Sequence, residues 1–321
     1  PSVGAVRDLE IRAEGIGSEA DLPGLGRLGV LGGRSVARLV AKDGGVLKTP
    51  QLTQATGGEI LIDGPTSRID LTHLESIDFL SLRVLNGAVV ELPAVTTHQS
   101  PYYSSALEST GPGSLIDLPN LVKIGVESHP APLQALAGGE VRLLGLTAID
   151  AAAAFTARGA GSVVDLSNLV SFEFANTVIP GAELNAVDGG RIRTGSLRSL
   201  ANVGLVIDGR ESSIDLDQVS GVVSGLFTAR NGGSIAMTAP TAMVGHLSAE
   251  GPLSLVSLPN VTQVGNYPGG FPMTITARVG GQIDLTSVES MTSGAVLAAT
   301  GSAGGATGRA DRPPRSCRCR R

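Results

Sequence analysis

Large aromatic rings are scarce in this sequence. Only 3% of the 321 residues are aromatic and none is Trp, whereas 42% are apolar and 44 are Gly. A core built on stacked rings is therefore excluded, and the abundance of small aliphatic residues favours a core of many thin layers.

Cysteine and long apolar runs are missing from the body of the chain. The two cysteines, Cys317 and Cys319, both lie in the last five residues, so the remainder holds no disulfide and no thiolate metal site. No run approaches the roughly 18 apolar residues that span a bilayer. With a mean hydropathy of +0.21, the composition indicates a folded chain without a membrane span.

Self-similar segments recur along the sequence. GSLIDLPNLVKI, which begins at Gly113, is echoed by GSVVDLSNLVSF from Gly161 and by GQIDLTSVESM from Gly281. An apolar-x-Ala-x-x-Gly step, such as Phe155-x-Ala157, precedes the units. One residue between two apolar positions marks each of twelve units with a mean spacing of about 24 residues: Asp21, Lys48, Asp70, Glu91, Asp117, Arg142, Asp165, Arg193, Asp215, Ala236, Ser257 and Asp284.

Each unit holds two or three short apolar alternations separated by Gly, Pro, Asn and Ser, with no stretch of helical periodicity. A unit of this size cannot bury its own apolar face, so it must stack on its neighbours. The sequence therefore predicts an all-β, single-stranded parallel β-helix (β-solenoid) of about twelve rungs. A leucine-rich-repeat solenoid is the alternative, because LTHLESI and LPNLVKI share that spacing.

The alternation of GSxxDLxNL with GGxxxL and L-x-A-x-x-G resembles the right-handed parallel β-helix repeats of large secreted or cell-surface bacterial proteins, over roughly residues 9–300. The resemblance implies this fold and an extracellular location, secreted or on the cell surface. It transfers no catalytic residue. We expect the solenoid over 1–300, with 1–20 as a possible N-terminal cap and 301–321 as a Gly/Ala linker and basic disordered tail.

The marker residues are expected to point outward and to stack directly above one another. Their sign alternates over five rungs, which predicts a structural charge ladder: Asp117, Arg142, Asp165, Arg193 and Asp215. Asn120, Asn168 and Asn260 recur three residues after a marker, where we expect a corner in the left-handed region.

Extra residues enter the longer units at one corner, and most of the large polar rings lie in them. The six residues expected to contact glycans or partner proteins there are His98, Tyr102, Tyr103, His129, Tyr267 and Phe271. Aromatic faces beside polar groups suit stacking on sugar rings or packing against a protein.

Other motifs give no site. Gly24-x-Gly26-x-x-Gly29 matches a dinucleotide fingerprint only formally, since it aligns with an ordinary rung. We expect no cofactor and no metal, and the acidic body argues against nucleic acid as a partner. The sequence favours a non-enzymatic structural or adhesin-like segment of a larger protein. The alternative is a carbohydrate-binding or polysaccharide-degrading β-helix, a lyase or glycoside hydrolase, acting at the insertion corner.

Overall fold

The computed structural model describes residues 9–29, 37–99, 106–125, 130–175, 181–265, 273–291 and 296–300. Within these ranges every regular element is a strand, and neighbouring strands pair in parallel. The chain is a parallel β-solenoid of about 11 turns with a period of about 23 residues, which confirms the predicted fold class. The described residues contain no helix, so the leucine-rich-repeat alternative is wrong.

Each rung contributes strands to three layers. The first layer contains β1 (Glu10–Glu14), β4 (Arg38–Lys42), β7 (Glu59–Asp63), β9 (Ser81–Leu85), β12 (Leu107–Thr110), β15 (Ala131–Leu136), β18 (Ala153–Arg158), β21 (Glu183–Val187), β24 (Val203–Asp208), β26 (Ser220–Arg230), β28 (Ala239–Glu250), β31 (Thr274–Arg278) and β34 (Val296–Thr300). The second layer contains β2 (Glu19–Asp21), β5 (Val46–Lys48), β8 (Arg68–Ile69), β10 (Val89–Glu91), β13 (Leu115–Asp117), β16 (Glu140–Arg142), β19 (Val163–Asp165), β22 (Arg191–Arg193), β25 (Ser213–Ile214), β27 (Ser234–Ala236), β29 (Leu255–Ser257) and β32 (Gln282–Asp284).

The third layer contains β3 (Arg27–Gly29), β6 (Gln54–Thr56), β11 (Thr97–His98), β14 (Lys123–Ile124), β17 (Ala148–Ile149), β20 (Ser171–Glu173), β23 (Ser199–Ala201), β30 (Gln263–Gly265) and β33 (Ser290–Met291). The long strands β26 and β28 run through both the third layer of one rung and the first layer of the next. We number rungs by their second-layer strand, so β2 belongs to rung 1 and β32 to rung 12.

The first rung is an ordinary one. β1 pairs with β4 over five residues, and β2 pairs with β5 over three. Within the described residues, 10–21 therefore stack on the next rung as later units do. Residues 1–8 of the expected cap lie outside the described residues. The expected tail, 301–321, lies outside the described residues.

The core is one continuous aliphatic column. First-layer strands turn alternate residues inward, and in several of them a large residue is followed by a small one, as Phe155 and Ala157 are in β18. The next rung places Leu184 beside Phe155 and Ala186 beside Ala157. This register explains the apolar-x-Ala step of the sequence, since alternate residues of a strand face the same side.

Two kinds of corner alternate strictly between the first and second layers. Odd rungs turn through Gly-x-x-Ser, whereas even rungs turn through a left-handed residue followed by Gly-Gly or Gly-Ala. Asp43, Asn86, Ala137, Asp188, Asn231 and Val279 are these left-handed residues. The physical repeat is therefore two rungs, which is twice the spacing seen in the sequence.

The serines of the Gly-x-x-Ser corners form what we call the serine seam: Ser67, Ser114, Ser162, Ser212 and Ser254. All five are buried. Each hydroxyl donates to the carbonyl oxygen four residues earlier and accepts the amide of the first glycine in the preceding rung's corner, at 2.9–3.0 Å. The seam thus joins each even rung from 2 to 10 to the odd rung that follows it.

The second glycine of the Gly-Gly corners is required by close backbone packing. A Cβ on Gly190 would lie 2.0 Å from the carbonyl oxygen of Ala157 in the rung before. Its φ is not positive, so the constraint is space rather than conformation. At the Gly-Gly corners, an even rung can approach the preceding odd rung this closely only because the side chain is absent.

Candidate functional site

The predicted charge ladder lies on the outer side of the second layer. Pairing aligns Asp117, Arg142, Asp165 and Arg193 directly above one another. Arg142 donates to Asp117 at 3.0 Å and to Glu140 of its own strand at 2.9 Å, and Arg193 donates to Asp165 at 3.2 Å. The ladder therefore consists of ion pairs between an odd rung and the even rung after it.

These ion pairs complement the serine seam. The seam joins an even rung to the next odd rung, and the ladder joins that odd rung to the next even one. The two acidic side chains are largely buried, at 15% exposure for Asp117 and 12% for Asp165, so their charges depend on the arginines. Asp165 also accepts the amide of Ser167 at 3.0 Å, which shapes the turn after β19.

Asp215 occupies the last position of the predicted ladder, one residue beyond β25. Partial burial raises the pKa of the Asp215 carboxyl, and the nearby carboxylate of Asp217 raises it further. Arg193 offsets part of this rise through its charge. Asp215 thus takes part in the ladder electrostatically.

The first layer carries inter-rung ion pairs that the sequence reasoning missed. Arg38 contacts Glu59 at 2.7 Å, and Arg230 contacts Asp208 at 3.5 Å. Each pair occupies the same strand position in neighbouring rungs. The signal in the sequence was opposite charge at matching positions, before the apolar-x-Ala step for Arg38 and Glu59 and after it for Asp208 and Arg230. It becomes visible only when the rungs are aligned.

The corner between the third and first layers contains all the longer connections. The chain leaves the ends of β11, β14, β20 and β30 and returns to the next first-layer strand. Tyr102, Tyr103, His129, Tyr267 and Phe271 lie in these connections, outside the described residues.

His98 is not a surface residue, which corrects its predicted place among exposed contact residues. It is 1% exposed and occupies the inward position of β11, beside Ile124 of the next rung. The sequence was expected to insert extra residues from Thr97 to Ser105, but Thr97 and His98 form the third-layer strand β11. Burial therefore follows from strand alternation, and His98 faces the core.

The corner asparagines are not left-handed, which corrects a second expectation. None of Asn120, Asn168 and Asn260 has a positive φ. Each donates its side-chain amide to a backbone carbonyl in the preceding rung, at 2.6–2.8 Å. Their recurrence comes from inter-rung hydrogen bonding rather than from backbone conformation.

In the described part of the chain no group of three or more His, Cys, Asp or Glu side chains is arranged to hold a metal ion. No helix there is long and apolar enough to cross a membrane. The formal Gly24-x-Gly26-x-x-Gly29 motif lies where β2 turns into β3, and β3 is a strand paired with β6. A dinucleotide fingerprint would instead open a helix.

Comparison with protein-family models, curated proteins and solved structures returns no match to this chain. The fold itself defines the class: this is a parallel β-solenoid repeat protein. In the described residues, the ion pairs on its outer side join neighbouring rungs.

Proposed function

We propose that the chain is a non-enzymatic structural or adhesin-like solenoid segment of a larger secreted or surface protein, of the type found in bacteria. One observation carries the proposal. Hydrogen bonds of the serine seam alternate with ion pairs of the ladder along the solenoid. Each of rungs 4 to 8 therefore has a polar side-chain contact with the rung that follows it. Regular contacts of this kind between rungs favour a segment that holds attached parts at a fixed separation.

The use of the buried carboxylates supports a structural role. A polysaccharide-cleaving site needs an acid and a base or nucleophile that converge on one bond. In the ladder, Asp117 and Asp165 lie two rungs apart, and each is neutralised by an arginine of the following rung. Both carboxylates thus serve contacts between rungs.

The experiment incubates the purified chain with neutral and acidic polysaccharides and measures the release of reducing and unsaturated ends. Heat-denatured protein and the double variant Asp117→Asn with Asp165→Asn are the controls. We expect no release above the denatured control on any substrate. Sustained release by the native chain would overturn the proposal, and its loss in the variant would place the chemistry at the ladder.

A second candidate function is glycan or partner-protein binding at the corner between the third and first layers. The observation that favours it is topological, because β11, β14 and β20 end at this same corner and each is followed by a longer connection. All three tyrosines of the chain lie in such connections. Tyrosine rings have flat apolar faces that suit stacking on sugars.

Tyrosine emission tests this second function directly, since the chain has no Trp. A saturable change on titration with one glycan, reduced in Tyr102→Ala or Tyr267→Ala, would support binding at the corner. Unchanged emission across the panel, together with no retention of the chain on immobilised glycans, would contradict it.

A further inference from the structure

The third layer turns one column of side chains into the core, and one member of that column is titratable. All of its described members are buried except Met291 of the last rung: Leu28, Ala55, Ile77, His98, Ile124, Ile149, Phe172, Leu200, Val223, Met243, Val264 and Met291. His98 therefore occupies a position that is otherwise apolar throughout the described rungs. Neither of its ring nitrogens has a hydrogen-bond partner of ordinary geometry, although the backbone of Ile77 in the preceding rung lies where it favours the protonated ring.

The charged groups around this position lie on its outer side. Asp78 follows Ile77 in the preceding rung and accepts the amide of Gln99 at 2.7 Å. Glu75 of that rung and Lys123 of β14 are exposed. Burial outweighs the attraction of Asp78 and lowers the pKa of His98 from 6.5 to about 4, so the ring is neutral inside the closed rung.

Short pairing holds this part of rung 4 closed on both sides. Towards the preceding rung, Thr97 forms a single bridge with Ser76, and the Phe79 amide donates to the carbonyl of Gln99 at 3.2 Å. β11 has two residues, and its contact with β14 consists of two paired positions. The amide of Gly125 donates to the carbonyl of His98 at 3.0 Å, and the amide of Val122 donates to Thr96 at 2.9 Å. Local opening here breaks few bonds compared with opening of the five- and six-residue first-layer pairs.

We propose that His98 makes the third layer of rungs 4 and 5 a proton-sensitive opening point, at which β11 separates from the stack in mild acid while the other rungs stay closed. The ring can take up a proton only after opening brings it to water. Acid therefore stabilises the open form and leaves the closed form unchanged.

The pH window follows from the two protonation states. The closed rung has its full stability above pH 6.5 and loses it as the pH falls from 6.5 towards 4, because the open form binds the additional proton. Well inside this window the open population rises about tenfold for each pH unit.

Amide hydrogen exchange of the full chain at pH 7, 6 and 5 tests the proposal. After correction for intrinsic exchange, the protection of Gly125 is expected to fall about tenfold between pH 6 and pH 5. Gly204, whose amide donates to Ala182 at 2.8 Å in the first layer, is the internal reference and should keep its protection. Constant protection at Gly125, or an equal fall at both amides, would overturn the proposal.

Two variants test whether the acid response at Gly125 comes from protonation of the His98 imidazole or from another effect of acid. In His98→Leu and in His98→Phe, the latter matching Phe172 of the same column, Gly125 should show the same protection at all three pH values. His73→Gln alters an exposed histidine and should keep the wild-type acid response. A response that persists in either folded His98 variant contradicts the proposal, and the wild-type comparison decides it if neither variant folds.

Discussion

The amide of Gly138 donates a 2.9 Å hydrogen bond to the hydroxyl of Ser162, which lies one rung further along the solenoid. The same hydroxyl donates to the carbonyl of Arg158 at 2.6 Å, so one buried side chain serves two backbone groups. Repeated at five corners, this contact sets the two-rung repeat of the molecule.

Ser162→Ala tests the seam. The substitution removes both hydrogen bonds and leaves the Gly138 amide buried without a partner, which costs about 1–3 kcal/mol. We expect a lower urea midpoint with an unchanged slope. Ser248→Ala, on the outer side of β28, is the matched control and should change the midpoint little. Equal effects of the two substitutions would contradict the role of the seam.

Gly190→Ala tests the close approach at the even corners. The added methyl group would overlap the carbonyl oxygen of Ala157, so rungs 7 and 8 must separate. We expect a loss of about 3 kcal/mol or a failure to fold. Gly195→Ala adds the same methyl group where nothing lies within 4 Å and should be nearly neutral. Thermal unfolding of both variants gives the comparison, and a stable Gly190→Ala would refute the packing argument.

Arg142→Glu tests the ladder. The reversal places a third carboxylate beside Asp117 and Glu140, and removes the cation that neutralises a largely buried charge. We expect a loss of about 3 kcal/mol that shrinks as salt is added. Arg191→Glu, in β22 two strands further along the same layer and without an ion pair among the described side chains, should have less effect. Unfolding midpoints at low and high salt check both, and identical salt dependence would count against the ladder.

Substitutions of Asn168 test whether the corner asparagines recur because of hydrogen bonding or because of backbone conformation. Its amide bonds to the carbonyl of Leu144 at 2.8 Å, and its φ is negative. Asn168→Ala should cost about 1 kcal/mol. Asn168→Gly should cost at least as much, because no left-handed strain exists for glycine to relieve. A glycine variant more stable than the alanine variant in urea unfolding would restore the left-handed interpretation.

The sequence was sufficient to predict the solenoid. The aliphatic spacing of GSLIDLPNLVKI indicates short strands, and a unit this small must stack on its neighbours to bury its apolar face. It was also sufficient to predict the order of the charged markers. The serine seam was missed because Ser162 accepts its hydrogen bond from Gly138 in the preceding rung. Which glycine lies next to which serine depends on the three-dimensional register of the rungs.

A wrong strand boundary caused one of the remaining errors, and local residue preference caused the other. His98 was assigned to an insertion because a strand of two residues has almost no periodicity to detect, so its inward orientation could not be read from the sequence. The asparagines were assigned a left-handed conformation from residue preference alone. In the structure their amides reach across rungs, which is a tertiary interaction that local preference does not contain.

The central claim, a rigid rod with a constant axial step, is tested most directly by distances between spin labels on the outer side of the first layer. In a Cys317→Ser and Cys319→Ser background, Gln134→Cys is paired with Thr228→Cys or with Thr276→Cys, four and six rungs away in one column. At the inter-strand spacing of about 4.8 Å, we predict narrow distributions near about 19 and about 29 Å. Broad distributions, or distances that do not follow the number of rungs, would contradict the account.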